Sequence, residues 1–195
     1  MIRFGNVIYT GECAMKADKV FEKLSQMTYG WYDHNNNKIV TPKNKEFTIP
    51  GYFEENCYVL TPKELLKHKV GTCWDFSLYA YEELSKTYQD VKFVYLEFKD
   101  NKKQLVTHTT VTYRDTNDLY CWIESAWDKA YGINKYYSAF HVYNNIVEII
   151  KDVYNIRAFN YAISSCDITK LLSTTEPITA DIFLSTVRSA HTLKL

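Results

Sequence analysis

A glycine, a small hydroxyl residue and a cysteine follow one another in Gly71-Thr72-Cys73-Trp74-Asp75-Phe76-Ser77, directly ahead of the amphipathic run Leu78 to Leu84. A helix opening here presents unpaired backbone N–H groups and a partial positive charge to the sulfur, a setting that favours the nucleophilic thiolate. A thiolate does covalent chemistry when a base stands within hydrogen-bond reach and a further group orients that base. Of the five histidines, 34, 68, 108, 141 and 191, His108 sits among Thr107, Thr109 and Thr110 in a run with strand character. A strand holds a ring better than the polar loop that carries His34. His68 reads as a surface residue, and Asp75 as a hydrogen-bonding residue of the helix start that faces another side from Cys73.

The orienting acid depends on strand register. With a three-residue connection, 115 to 117, between the His108 strand and the next, Arg114 faces Asp118 and Glu124 falls directly opposite His108. Opposed residues share a face with Cβ atoms about 4.5–5.5 Å apart, close enough for the carboxylate to take the imidazole N–H. A four-residue connection puts Ser125 there and turns Glu124 to the other face. Glu124 also lies between Trp122 and Trp127, where an unpaired charge is costly.

These residues need elements to carry them. The nucleophile helix runs from Cys73 to about Tyr88, with Cys73, Ser77, Ala80 and Leu84 on one buried stripe. Thr61-Pro62-Lys63-Glu64 combines a threonine cap, proline at the first helical position and a glutamate, and predicts a short helix over about 61 to 67. Strands are expected over Val91 to Lys99, Gln104 to Arg114 and Leu119 to Trp127, an antiparallel meander broken by Asp100-Asn101 and Asp115-Thr116-Asn117. Helical spacing recurs from Met15 to Met27, from Ser138 to Tyr154 and after Pro177. Short strands are expected at Arg3 to Tyr9 and Arg157 to Ile163. An aromatic turn and polar loop are expected over Tyr29 to Lys38, and irregular chain from Ile39 to Tyr58.

Gly-x-Cys-x-Asp opening a helix, then His108 in a second element and an acid sixteen residues on within Trp122-Ile123-Glu124-Ser125-Ala126-Trp127, resembles the transglutaminase-like superfamily of cysteine enzymes. Val59-Leu60-Thr61-Pro62-Lys63-Glu64-Leu65-Leu66 is similar to the lead-in of small bacterial members. The resemblance covers roughly residues 58 to 135. It implies a papain-related α+β core, the cysteine helix packed on an antiparallel sheet, and attack on an amide bond by a Cys73–His108–Glu124 triad. The acid is usually aspartate in that superfamily, so Glu124 is a departure and Asp128 a rival. The implied oxyanion site is the Cys73 N–H plus one side-chain donor, with Tyr58, Tyr52 and Trp31 as candidates by proximity. The papain family shares the spelling of Gly71 to Ser77, but it places histidine and asparagine about 130–150 residues beyond the cysteine, farther than this chain extends. Its upstream glutamine is replaced by Lys67.

Length and composition narrow the partners. At 195 residues the chain suits a single domain, 1–195, with a core at about 58–135, a helical lead-in and a helical C-terminal extension. Lys plus Arg and Asp plus Glu both number 23, so no field favours nucleic acid or an anionic membrane. The five cysteines, 13, 57, 73, 121 and 166, form no C-x-x-C pair, which argues against a zinc site or a disulfide framework. No signal peptide or membrane span is seen, and a reduced, cytoplasmic setting is expected. The expected partner is a protein or peptide substrate, with no cofactor and no metal. The rival expectation is a catalytically inactive transglutaminase-like domain that binds another protein.

Overall fold

The computed structural model describes residues 12–33, 35, 37–40, 56–101, 103, 105–155 and 161–190. The first helix, α1 (Glu12–Ser25), is followed by β1 (Thr28–Asp33), β2 (Lys38–Val40) and β3 (Cys57–Val59). Then come α2 (Pro62–His68), the two-residue β4 (Val70–Gly71) and the helix α3 (Cys73–Ser85). The strands β5 (Gln89–Lys99), β6 (Leu105–Arg114) and β7 (Tyr120–Glu124) lead through a 3-10 turn at Asp128–Ala130 to β8 (Gly132–Tyr136) and α4 (Ala139–Val153). The last elements are β9 (Tyr161–Cys166), α5 (Thr169–Leu172), β10 (Ile178–Thr179) and α6 (Ala180–Ser189). The fold is α+β with two five-stranded sheets, one ordered β10-β3-β1-β2 with β4 beside β1, the other β8-β7-β6-β5-β9.

The larger sheet is antiparallel throughout and covered on both faces. Successive side chains of a strand point to opposite faces, and β5 divides its residues accordingly. Phe93 and Tyr95 join a cluster with Trp74 and Leu78 of α3, whereas Val94, Leu96 and Phe98 join one with Val142, Ile146 and Ile150 of α4. A further cluster sets Phe76, Tyr79, Ala80 and Leu84 of α3 against α1 and against Val111, Tyr113, Cys121 and Ile123. The residues Cys73 to Ala80 are therefore all buried, where periodicity alone predicts only one buried stripe.

The register between β6 and β7 corrects the sequence expectation. Val111 pairs with Ile123, Thr112 with Trp122, Tyr113 with Cys121 and Arg114 with Tyr120, so the connection is residues 115–119, not 115–117. Asp115 stabilises the longer turn: its N–H donates to the Leu119 carbonyl, and its carboxylate accepts the N–H groups of Asn117 and Leu119. Asp118 takes the left-handed conformation this closure requires, at φ 61°. The slip is two residues, which preserves the faces. Continuing the pairing puts Thr110 opposite Glu124 and leaves His108 diagonal to it on the same face.

Elsewhere, Tyr29 to Tyr32 forms strand β1 rather than a turn. Gly30 reads as a breaker but serves close packing, because a Cβ there would stand 2.2 Å from the Ile39 carbonyl oxygen of β2. Within the stretch expected to be irregular, the described ends form β2 and β3. Strands β4, β8 and β10 were not expected. The expected strand at Arg3 to Tyr9 lies outside the described residues, as do Arg157 to Asn160 of the expected strand that is found as β9.

The C-terminal elements belong to the core. Phe183 of α6 stacks on Trp74, with centroids 4.5 Å apart and planes at 21°. Strand β10 extends the smaller sheet and β9 the larger. Because Phe183 is fully buried, Phe183→Ala is expected to cost about 3–5 kcal/mol of stability. Urea denaturation measures this; a loss below about 1 kcal/mol would show that α6 contributes little to the packing of α3.

Candidate active site

Helix α3 starts on a tightly tied cap. Thr72 is its N-cap, in extended conformation, and its hydroxyl oxygen accepts the Trp74 N–H at 3.2 Å. Asp75 answers from the third helical position: Oδ2 accepts the Thr72 N–H at 2.6 Å and the Thr72 hydroxyl at 2.8 Å. Its Oδ1 accepts the Leu60 N–H at 2.6 Å, which ties the chain ahead of α2 to the start of α3. Burial pushes the Asp75 carboxyl up to about 6, against the pull of those hydrogen bonds. Gly71 precedes this cap because a Cβ there would stand 2.7 Å from Leu65 and 2.8 Å from the Asp75 side chain. The result is one fixed position for Cys73, the first residue of α3.

His108 is delivered from β6. Its Nε2 meets Glu124 Oε2 at 2.8 Å, and the Cys73 sulfur lies near enough to act on the ring electrostatically. With Nε2 given to Glu124, Nδ1 is the nitrogen left for the sulfur. Next along β6, the Thr109 hydroxyl donates to the Cys73 carbonyl at 2.7 Å, which fastens the strand to the helix start. The indole of Trp127 lies flat on the imidazole, 3.6 Å between centroids and 14° between planes. Glu124 spans the diagonal to His108 with Oε2, while its Oε1 accepts the N–H groups of Ala126 at 2.7 Å and Trp127 at 3.0 Å. One carboxylate thus holds both the ring and the backbone turn that carries the stacking indole.

Water is largely excluded: Cys73 is 6%, His108 2% and Glu124 1% exposed. Burial works against a charged imidazole, but the Glu124 carboxylate and then the Cys73 sulfur outweigh it and raise the His108 pKa to about 10. The sign follows from linkage. A ring whose pKa is raised on folding, from 6.5 to about 10, adds stability that is fully present below about pH 6.5 and is lost as pH rises through about 10. Urea midpoints at about pH 7 and pH 10.5 are expected to fall more in the native chain than in Glu124→Gln; equal falls would rule out this pair as the source.

The other sequence candidates lie apart from this contact. His68 meets Glu64 at 2.9 Å and packs against the Tyr32 ring. Asp128 lies exposed on the 3-10 turn, and Glu124 is the acid that reaches His108. His141 engages Ser138 at the exposed start of α4. His34, His191 and Tyr52 lie outside the described residues. Trp31 shares an apolar cluster with Cys73, and Tyr58 sits on β3. Among the described residues, no group of three or more His, Cys, Asp or Glu side chains could hold a metal ion, and no helix is long and apolar enough to cross a membrane.

Tyr29 stands near Cys73 although no local pattern in the sequence places it there. Its phenol lies near enough to Cys73 for the two groups to act on one another electrostatically. Burial first, then the sulfur beside it, push its phenol well above the usual range, so it stays a protonated donor. The missing signal was the parallel pairing of Tyr29 with Gly71, a long-range contact that no local pattern announces.

A family model described as transglutaminase-like domain matches residues 9–159. No curated protein matches the chain.

Proposed function

Because the chain belongs to the transglutaminase-like domain family, we propose that it is a cysteine hydrolase or acyltransferase acting on amide bonds of a protein or peptide. Cys73 is the nucleophile, His108 the general base and acid, and Glu124 the residue that orients His108. The observation that carries this reading is the His108 ring bonded to the Glu124 carboxylate, on a strand whose next residue, Thr109, is bonded to the Cys73 carbonyl at a helix start. The Cys73 proton passes to His108, and the sulfur attacks the amide carbon. The tetrahedral adduct then collapses as the imidazolium protonates the departing amine. The remaining thioester passes its acyl group to water or to a second amine, with His108 removing the proton of the incoming nucleophile. Glu124 keeps the Nε2 proton in place through both halves.

An electrophilic amide mimic tests the assignment. Selective modification of Cys73 over Cys121 and Cys166, lost in His108→Ala, supports the enzyme. Modification of Cys73 no faster than of those two cysteines would overturn it and favour a protein-binding role for the same domain.

A further inference from the structure

Trp127 is none of the three positions assigned above, yet its indole covers the face of the His108 ring. The two planes are 14° apart and the centroids 3.6 Å apart. The indole is itself held from several sides. Its backbone N–H donates to Glu124 Oε1 at 3.0 Å, beside that of Ala126 at 2.7 Å. Tyr154, at the end of α4, meets the indole edge-on at 6.3 Å and 74°, and Phe98 of β5 meets Tyr154 edge-on at 5.1 Å. On the turn that follows, Lys129 pairs with Asp152 of α4. Only 4% exposed, Trp127 forms a fixed wall.

A histidine ring turns about its Cβ–Cγ bond, and that torsion is broad rather than sharply staggered. The Cβ–Cγ axis crosses the ring and leaves it between Cε1 and Nε2. A hydrogen bond made by Nε2 therefore runs nearer to the axis than one made by Nδ1, and it fixes the reach of the ring better than its plane. Nδ1 points across the axis and swings as the ring turns. Glu124 grips His108 by Nε2, at 2.8 Å, so the position of Nδ1 needs a second constraint. The indole supplies it, because a ring stacked at 3.6 Å cannot turn without leaving that face or colliding with it.

Resting on the reading of Cys73 and His108 as nucleophile and base, we infer that Trp127 is a positioning residue, whose indole fixes the plane of the His108 ring and so aims Nδ1 at the Cys73 sulfur. The proton transfer keeps its balance: the Cys73 S–H bond breaks, its electron pair stays on sulfur, and the proton bonds to Nδ1. The indole takes no part in that step. Glu124 serves both constraints, one oxygen on the ring and the other on the backbone of the wall. The titratable groups around the stack are Glu124, Cys73 and, against the indole, Tyr154.

The pH dependence of one thiol separates aim from packing, because an alkaline solution ionises a thiol without help from a base. Alkylation of Cys73 by iodoacetamide, read by peptide mass mapping, is compared in the native chain, Trp127→Phe and Trp127→Leu. Leucine fills much of the space without a flat face, and phenylalanine keeps a smaller one. In the native chain the rate at about pH 6.5 is expected to approach that at about pH 9.5, since His108 has already taken the proton. Trp127→Leu is expected to slow labelling about 10–10²-fold at the lower pH and only a few fold at the higher. Trp127→Phe is expected to lose a few fold at the lower pH and nothing at the higher. A deficit of equal size at both values, or one that phenylalanine does not relieve, would reduce Trp127 to packing and overturn the role while leaving Cys73 and His108 in place. If native Cys73 instead gains reactivity between the two values as an ordinary thiol does, the pairing of Cys73 with His108 falls and the role of Trp127 falls with it. Should Trp127→Leu not fold, Trp127→Phe decides alone: a loss confined to the lower pH supports the role, and an equal loss at both values or none at either overturns it.

Discussion

Replacing Glu124 by alanine is expected to leave the protein largely unfolded at room temperature. The carboxylate is 1% exposed, pairs with His108, and satisfies the N–H groups of Ala126 and Trp127. Removing one partner of a buried pair costs about 3–5 kcal/mol, and each buried N–H left unpaired about 1–3 kcal/mol more. Those losses rival the whole stability of a domain this size, about 5–15 kcal/mol. Glu124→Gln separates folding from chemistry. Its amide oxygen can still accept both N–H groups, so the turn carrying Trp127 survives. Its NH₂ then faces Nε2, which must become an acceptor, and the proton moves to the nitrogen that serves Cys73. The variant is expected to fold but lose acyl transfer on the order of 10²–10⁴-fold. Glu124→Asp tests reach: the side chain keeps the right face but is one methylene short for a diagonal partner. Thermal melts with single-turnover acylation check all three; a Glu124→Gln enzyme of native rate would remove Glu124 from the mechanism.

Asp75 carries the second large effect. Asp75→Ala leaves the N–H groups of Thr72 and Leu60 without their acceptor and frees the helix start. The expected loss is about 1–3 kcal/mol for each, with slower and less selective labelling of Cys73 as its position loosens. Asp75→Asn keeps one acceptor and should cost about half as much. Its pH dependence has a definite sign. Burial raises the Asp75 pKa from 3.8 to about 6, so the native chain gains stability from this group below about pH 3.8 and loses it as pH rises through about 6. Asp75→Asn does not titrate there, so its deficit is expected to be larger at about pH 4 than at pH 7. Urea midpoints at the two values decide it, and a deficit that grows toward neutral pH would contradict the assignment.

The parts of the site that could be read from sequence were local or followed from parity. The cap at Thr72, the helix behind Cys73 and the meander carrying His108 each have a short-range pattern. Glu124 does contact His108, but not across the register that the sequence suggests. The turn formers Asp115-Thr116-Asn117 suggest a three-residue connection, whereas the Asp115 carboxylate closes a longer one ending at Leu119. Strand faces alternate with period two, so an error of two residues moved Glu124 along the strand without turning it over. Its extra methylene over aspartate suits the diagonal that resulted. Tyr29 was lost for the opposite reason. A tyrosine beside glycine reads as a turn, and only a parallel pairing across more than forty residues reveals it as a strand residue beside Gly71. The two-residue strands β4 and β10 are too short to carry any periodicity.

The packing of Trp74 against Phe183 has a consequence for how the protein comes into being. The thiol and imidazole stand at residues 73 and 108, but Phe183, Leu184 and Val187, which share the apolar cluster of Cys73, come more than seventy residues after His108. Domains emerge from the ribosome N-terminus first, so a nascent chain that already holds Cys73, His108 and Glu124 can still lack β9, β10 and α6. Cys73 acquires its finished surroundings only once β9, β10 and α6 have been made and have docked.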